Sequence, residues 1–106
     1  MNVQFKKGVL ELCVLAIVQK KDYYGYELVR EISSQIAISE GTVYPLLRKL
    51  TKEGYFTTYL QESSEGPPRK YYTLTKDGER YLQKLKEEWH DFTQAVDEMI
   101  KEEKSC

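Results

Sequence analysis

Ser39-Glu40-Gly41-Thr42-Val43-Tyr44-Pro45-Leu46-Leu47-Arg48-Lys49-Leu50-Thr51-Lys52-Glu53-Gly54 is the stretch that decides the fold. Val43, Leu46, Leu47 and Leu50 form one apolar stripe at helical period. At about 3.6 residues per turn, the opposite face holds Gly41, Pro45, Arg48 and Lys52, flanked by Thr42, Tyr44 and Lys49. Ser39 is suited to cap this helix and Gly54 to end it. Pro45 removes one helical hydrogen bond and crowds the carbonyl four residues back, here Gly41. A kink or a tight first turn is therefore expected.

Working back toward the N-terminus, Asp22-Tyr23-Tyr24-Gly25 opens another helix, with Asp22 as its expected N-cap. Leu28, Val29 and Ile32 share one face of it, Arg30 and Glu31 lie outside, and Ser33-Ser34-Gln35 closes it. Only Ile36-Ala37-Ile38 links the two helices, which gives a helix-turn-helix. A first helix runs roughly from Phe5 to Lys20 and has almost no polar face between Val9 and Val18. A helix apolar all round is buried on all sides. In a chain this small, one side is expected to meet another subunit, the alternative being a central helix within one protomer.

Beyond Gly54 the period changes to two. Tyr55 to Glu62 is rich in aromatic and β-branched residues and predicts a strand; Ser63 to Pro68 predicts a turn; Arg69 to Leu74 predicts a second strand. The resulting hairpin needs the helices to support it. Thr75 is the expected N-cap of a last helix reaching about Glu103. Leu82, Leu85, Trp89, Phe92, Val96 and Met99 follow a heptad spacing along it, which favours pairing with a second copy over packing within a monomer. The predicted fold is mainly α with one β-hairpin: a winged helix-turn-helix over residues 1–74, then a long C-terminal dimerisation helix over residues 75–106.

Composition limits the function classes. The 106 residues are 41% hydrophobic and 31% charged, a globular balance for one domain. Net charge is −1, so any surface for DNA is a local patch. Residues 1–54 carry eight Lys/Arg against six Asp/Glu, and residues 75–106 carry six against nine, which places that patch in the first two thirds. Cys13 sits in an apolar run and Cys106 ends the chain, so no disulfide framework is expected. The run from Val9 to Val18 contains Glu11 and is too short to span a bilayer, and it has no signal-peptide cleavage site. The expected compartment is cytoplasmic. No Gly-rich phosphate loop, paired-cysteine motif or Ser-His-Asp grouping is present, so neither an enzyme nor a cofactor is expected. His90, with Glu87 and Asp91, belongs to a solvated helix face rather than a metal site, and Cys13 to a core.

In a winged helix-turn-helix the second helix of the pair enters the major groove. Ser39, Thr42, Tyr44, Arg48, Lys49 and Lys52 are its candidate DNA contacts, and the hairpin adds Arg69 and Lys70. The basic residues suit phosphates, and the hydroxyls can donate hydrogen bonds. The near-zero net charge keeps open a second reading, a winged-helix module that binds a protein rather than DNA.

Four stretches carry a resemblance: Tyr24 to Leu28, Gly41 to Leu50, Glu53-Gly54-Tyr55, and Gly66 to Thr75 with Gly78. The chain resembles the PadR family of transcriptional regulators, in its short subgroup with a single C-terminal helix, and is similar to the multidrug-binding members. The Thr-Val-Tyr-Pro and Arg-Lys-Tyr-Tyr elements are specific in combination, and the resemblance covers essentially the whole chain. It implies a repressor that binds a pseudo-palindromic operator as a homodimer, swapped through its first and last helices. It also implies a small aromatic effector at the dimer interface, touching Leu10, Cys13, Val14, Trp89, Phe92 and Thr93. Trp89 then either stacks on a ligand or only fills the interface. Thr93 stands where an acid would favour cations, so no strong preference for cations is expected, and Leu60 stands where relatives often carry tryptophan.

Overall fold

The computed structural model describes residues 3–102. Its elements in chain order are α1 (Val3–Lys20), β1 (Tyr23–Tyr24), α2 (Gly25–Ser33), α3 (Glu40–Lys52), β2 (Phe56–Ser63), β3 (Gly66–Leu74) and α4 (Lys76–Ile100). This is the predicted winged helix-turn-helix with a long last helix. Glu103 and Cys106 lie outside the described residues.

The core forms around α1. Leu10, Val14, Leu15 and Val18 are buried along one side of it. Leu28 and Ile32 of α2, and Val43, Leu47 and Leu50 of α3, close over them, as the two helical stripes require. Phe56 and Tyr72 from the sheet and Leu82 from α4 complete the layer. Fully burying one such aliphatic or aromatic side chain stabilises the fold by about 1.5–3 kcal/mol. The other side of α1, with Val9, Leu12, Cys13, Ala16 and Ile17, is only half-buried.

Two expectations about the sheet change. Tyr23 and Tyr24 do not start α2 but form a third strand, paired antiparallel with β3 through Tyr23↔Tyr72 and Tyr24↔Tyr71. The strand order is β1-β3-β2, so the wing is a three-stranded sheet rather than a lone hairpin. Asp22 therefore caps nothing. Tyr24 occupies the N-cap position of α2 without a side-chain hydrogen bond, and Asp22 accepts one from the Tyr59 hydroxyl at 2.7 Å. The turn is also shorter than predicted, because β3 begins at Gly66 and only Ser64 and Glu65 lie between the strands. Pro67 and Pro68 have no N–H for the ladder, and the register shifts between Gln61 and Ser63 opposite them.

The ends of α3 and the start of α4 are stitched together. Ser39 sits at the N-cap of α3, but its side chain makes no cap hydrogen bond; its hydroxyl lies 3.4 Å from that of Thr42. The first turn is tight, with Thr42 N–H donating to the Ser39 carbonyl at 3.1 Å, and the helix runs on through Pro45. At the other end Gly54 adopts φ +87°, where a side chain would be strained. Gly54 N–H then donates to Thr51 and Tyr55 N–H to Leu50, satisfying the last carbonyls. Thr75 caps α4 as predicted: its hydroxyl accepts from Gly78 N–H at 2.9 Å and donates to the Gly54 carbonyl at 2.7 Å.

Glu11 is the one buried charged residue among the described residues. It lies where α1, α3 and α4 meet. The Tyr81 hydroxyl of α4 donates to its carboxylate, and Lys49 Nζ of α3 lies 3.4 Å from it. Tyr81 also stacks on Tyr55, with centroids 4.3 Å apart. Burial, then the hydrogen bond to Glu11, pushes the Tyr81 phenol well above its ordinary range. A raised folded-state pKa means that the neutral phenol is favoured by folding. Its contribution is complete below the unfolded value of about 10 and is lost as pH climbs from there toward the folded value. Tyr81→Phe is expected to cost about 1.5–3 kcal/mol at neutral pH, the range for a hydrogen bond to a charged group. The stability gap between wild type and variant should close as pH rises above about 10; thermal melts across that interval check it.

Candidate nucleic-acid interface

The outward side of α3 is set by its leucine stripe. With Val43, Leu47 and Leu50 buried, Gly41, Pro45 and Arg48 stand exposed on the far face, with Lys52 beside them. Arg48 and Lys52 are thus the freely presented cations of this helix. Ser39 is exposed and Thr42 is half-buried at its N-terminal turn.

Two predicted contacts behave differently. Lys49 is exposed, but its ammonium is shared between Glu11 at 3.4 Å and Glu53 at 4.0 Å. Its charge is largely engaged in holding α3 to α1. Tyr44 is half-buried, because its ring lies against the backbone of Gly25 at the start of α2. A Cβ on Gly25 would come within 2.7 Å of Tyr44 Cε1, so only glycine allows this approach. Burial, with Glu40 nearby, raises the Tyr44 pKa. The ring is therefore first a spacer between the paired helices.

Arg69 and Lys70 are neighbours in sequence, but alternation along β3 sends them to opposite faces of the sheet. Lys70 lies 5.9 Å from the ring of Tyr72, whose hydroxyl also feels the charge of Arg48. Arg69 stacks over Tyr24 on the other face, 4.6 Å from the ring centroid. The wing therefore presents one cation on each side. Tyr24, Tyr59 and Tyr71 share the outer face of the sheet; sequence suggests that Tyr55, Tyr71 and Tyr72 all pack the wing on the helices, but Tyr71 points the other way and Tyr24 joins it only through pairing with β3. Sequence reasoning also passed over Arg30, which sits 5.9 Å from the Tyr26 ring on α2.

A second site lies between α1 and α4. Gly8, Val9, Leu12, Leu85, Glu88, Trp89 and Phe92 line an open groove there. Trp89 is 39% and Phe92 51% exposed, large values for such side chains, and their centroids are 6.2 Å apart. Of the six residues expected around an effector, only these two line the groove. Leu10 and Val14 are 2% and 0% exposed and belong to the core, on the side of α1 turned away from Trp89. Cys13 lines a different groove, with Ala16, Ile17, Ile32 and Ile36 between α1 and α2, and burial pushes its thiol pKa up. Thr93 donates its hydroxyl to the His90 carbonyl at 3.1 Å and does not line the groove beside Trp89. A helix apolar all round gives no phase, so sequence could not say which of its sides met α4. His90, Glu87 and Asp91 lie on the open surface of α4 with Gln83 and Lys86. Among the described residues no helix is long and apolar enough to cross a membrane.

The model of the transcriptional regulator PadR-like family matches residues 14–84. The crystal structure of a PadR-like transcriptional regulator from Bacillus cereus is 38% identical, with a TM-score of 0.85, covering 94% of this chain and 99% of that one. A Streptococcus transcriptional regulator is 39% identical, also with a TM-score of 0.85, covering 94% of this chain and 100% of the other. The negative transcriptional regulator PadR of Bacillus subtilis is 28% identical over 90% of this chain but only 52% of its own length. A winged helix-turn-helix with its basic helix face open, matched by these relatives across nearly its whole length, belongs to the PadR-like family of transcriptional regulators.

Proposed function

We propose that this regulator is a cytoplasmic repressor that binds a pseudo-palindromic operator as a homodimer. The observation that carries the reading is the outward face of α3, where Arg48 and Lys52 stand exposed beside the half-buried Thr42. That face enters the major groove, with Arg48, Lys52 and the N-terminal Ser39 and Thr42 against the duplex. Tyr44 and Lys49 border it, and Arg69 and Lys70 of the wing reach the flanking backbone from its two faces. Phosphate contacts of this kind supply affinity and register, while sequence is read at base edges.

The chain up to Leu74 forms the DNA-binding unit, with α1 also in the dimer interface, and α4 (Lys76–Ile100) is the dimerisation helix. Trp89, Phe92, Met99 and Ile100 of α4 are 39–76% exposed, and the half-buried side of α1 is equally apolar. In this dimer α4 of one copy lies against α1 of the other, so that both apolar surfaces are covered, and the two α3 helices meet successive turns of DNA, the ~34 Å half-site spacing of helix-turn-helix dimers. A small planar aromatic effector then binds in the groove beside Trp89, and release from DNA follows. Glu88 in that groove favours a ligand carrying a positive charge.

Arg48→Ala and Lys52→Ala should each weaken binding to a duplex from upstream of the chain's own coding sequence. Each should lower the slope of log affinity against log salt by about one. Wild-type protein that holds a protein partner yet shows no salt-dependent DNA binding would favour the interaction-module reading instead. For the effector, titration with planar aromatic cations should quench Trp89 fluorescence, and Glu88→Gln should weaken cations more than neutral aromatics. Flat titrations across both sets would leave Trp89 as interface packing only.

A further inference from the structure

The outer face of the sheet carries three tyrosines that neither the core nor the α3 surface uses. Register places Tyr24 beside Tyr71 and Tyr71 beside Tyr59. The Tyr59 and Tyr71 rings are stacked, with centroids 5.5 Å apart and planes 9° from parallel. Tyr71 meets Tyr24 at 5.6 Å. Tyr59 starts on β2, yet its hydroxyl reaches past the central strand to the Asp22 carboxylate, 2.7 Å away beside β1. The row is thus clasped across β3. At the Tyr24 end, where the Tyr26 ring of α2 also lies 6.5 Å away, the Arg69 guanidinium lies over the Tyr24 ring, 4.6 Å from the centroid.

An arginine on an exposed wing strand has many rotamers, and ordering it on binding weakens affinity. Stacking on an aromatic face restricts the planar guanidinium and leaves its N–H edge open for phosphate. Lys70, one residue on, has no comparable seat at 5.9 Å from Tyr72. We infer that Tyr24, held in place by Tyr71 and Tyr59, is a positioning residue that presets Arg69 for the DNA backbone. This rests on the reading that the wing meets DNA.

The test is a set of salt titrations on a labelled mixed-sequence duplex, since a phosphate contact acts on any sequence. Arg69→Ala should lower affinity. Tyr24→Leu should lower it about threefold to tenfold, the effect of ordering one long side chain. Tyr24→Phe, which keeps the ring face, should bind as wild type. In an Arg69→Ala background Tyr24→Leu should cause no further loss. If Tyr24→Leu does not fold, Tyr59→Phe removes only the hydroxyl on Asp22 and should give a smaller loss, again dependent on Arg69. A loss of equal size with and without Arg69 would overturn the proposal, because the tyrosines would then only support the sheet. An effect of Arg69→Ala with none from Tyr24→Leu or Tyr59→Phe would overturn it while leaving the wing on DNA. No effect of Arg69→Ala would overturn both.

Discussion

Burial of α1 is the constraint on which the rest of the structure depends. Leu10, Val14, Leu15 and Val18 give α2, α3, the sheet and α4 a common surface to cover. The helix-turn-helix geometry follows from that coverage, with the Ser33 hydroxyl donating to the Ile38 carbonyl across the turn at 3.3 Å. Once Val43, Leu47 and Leu50 point at α1, Arg48 must point away. Glu11 adds direction to an otherwise apolar contact. A buried carboxylate is stable only when partnered, and its partners come from α3 and α4, so those helices are held in one register against α1.

The same helix has a second face that the rest of the chain only partly covers. That face is apolar, and α4 runs past the core with Phe92, Met99 and Ile100 more than half exposed. The chain measures 66 Å along its longest axis against 28 and 22 Å across the others, because α4 extends past the core. Surface charge is spent locally. Lys49 neutralises Glu11, while Arg48, Lys52, Arg69 and Lys70 remain for an external anion. A near-neutral chain can therefore still present a cationic edge.

Much of this was legible in the chain. The leucine stripe of α3, Gly54 at its end and Thr75 at the start of α4 each rest on local rules of period, left-handed conformation and capping. The misreadings share a cause: they depended on partners far away in sequence. Two residues, Tyr23 and Tyr24, are too few to show a strand period, and their pairing with β3 was invisible without the fold. Asp22 then found Tyr59 instead of a helix end. Lys49 appeared free because Glu11 lies 38 residues earlier. The family resemblance named the effector residues on α1, but the apolar run hid which side meets α4. The groove there belongs to Gly8, Val9 and Leu12, while Leu10 and Val14 face the core.

The central claim is that the outward side of α3 and the wing meet a duplex. Amide and side-chain NMR shifts recorded as a duplex from upstream of the chain's own coding sequence is added would test it most directly. Perturbations should gather on Ser39, Thr42, Arg48 and Lys52 and on Arg69 and Lys70, leaving Val43, Leu47 and Leu50 little changed. Shifts confined to α4, or none on α3 at low salt, would contradict it.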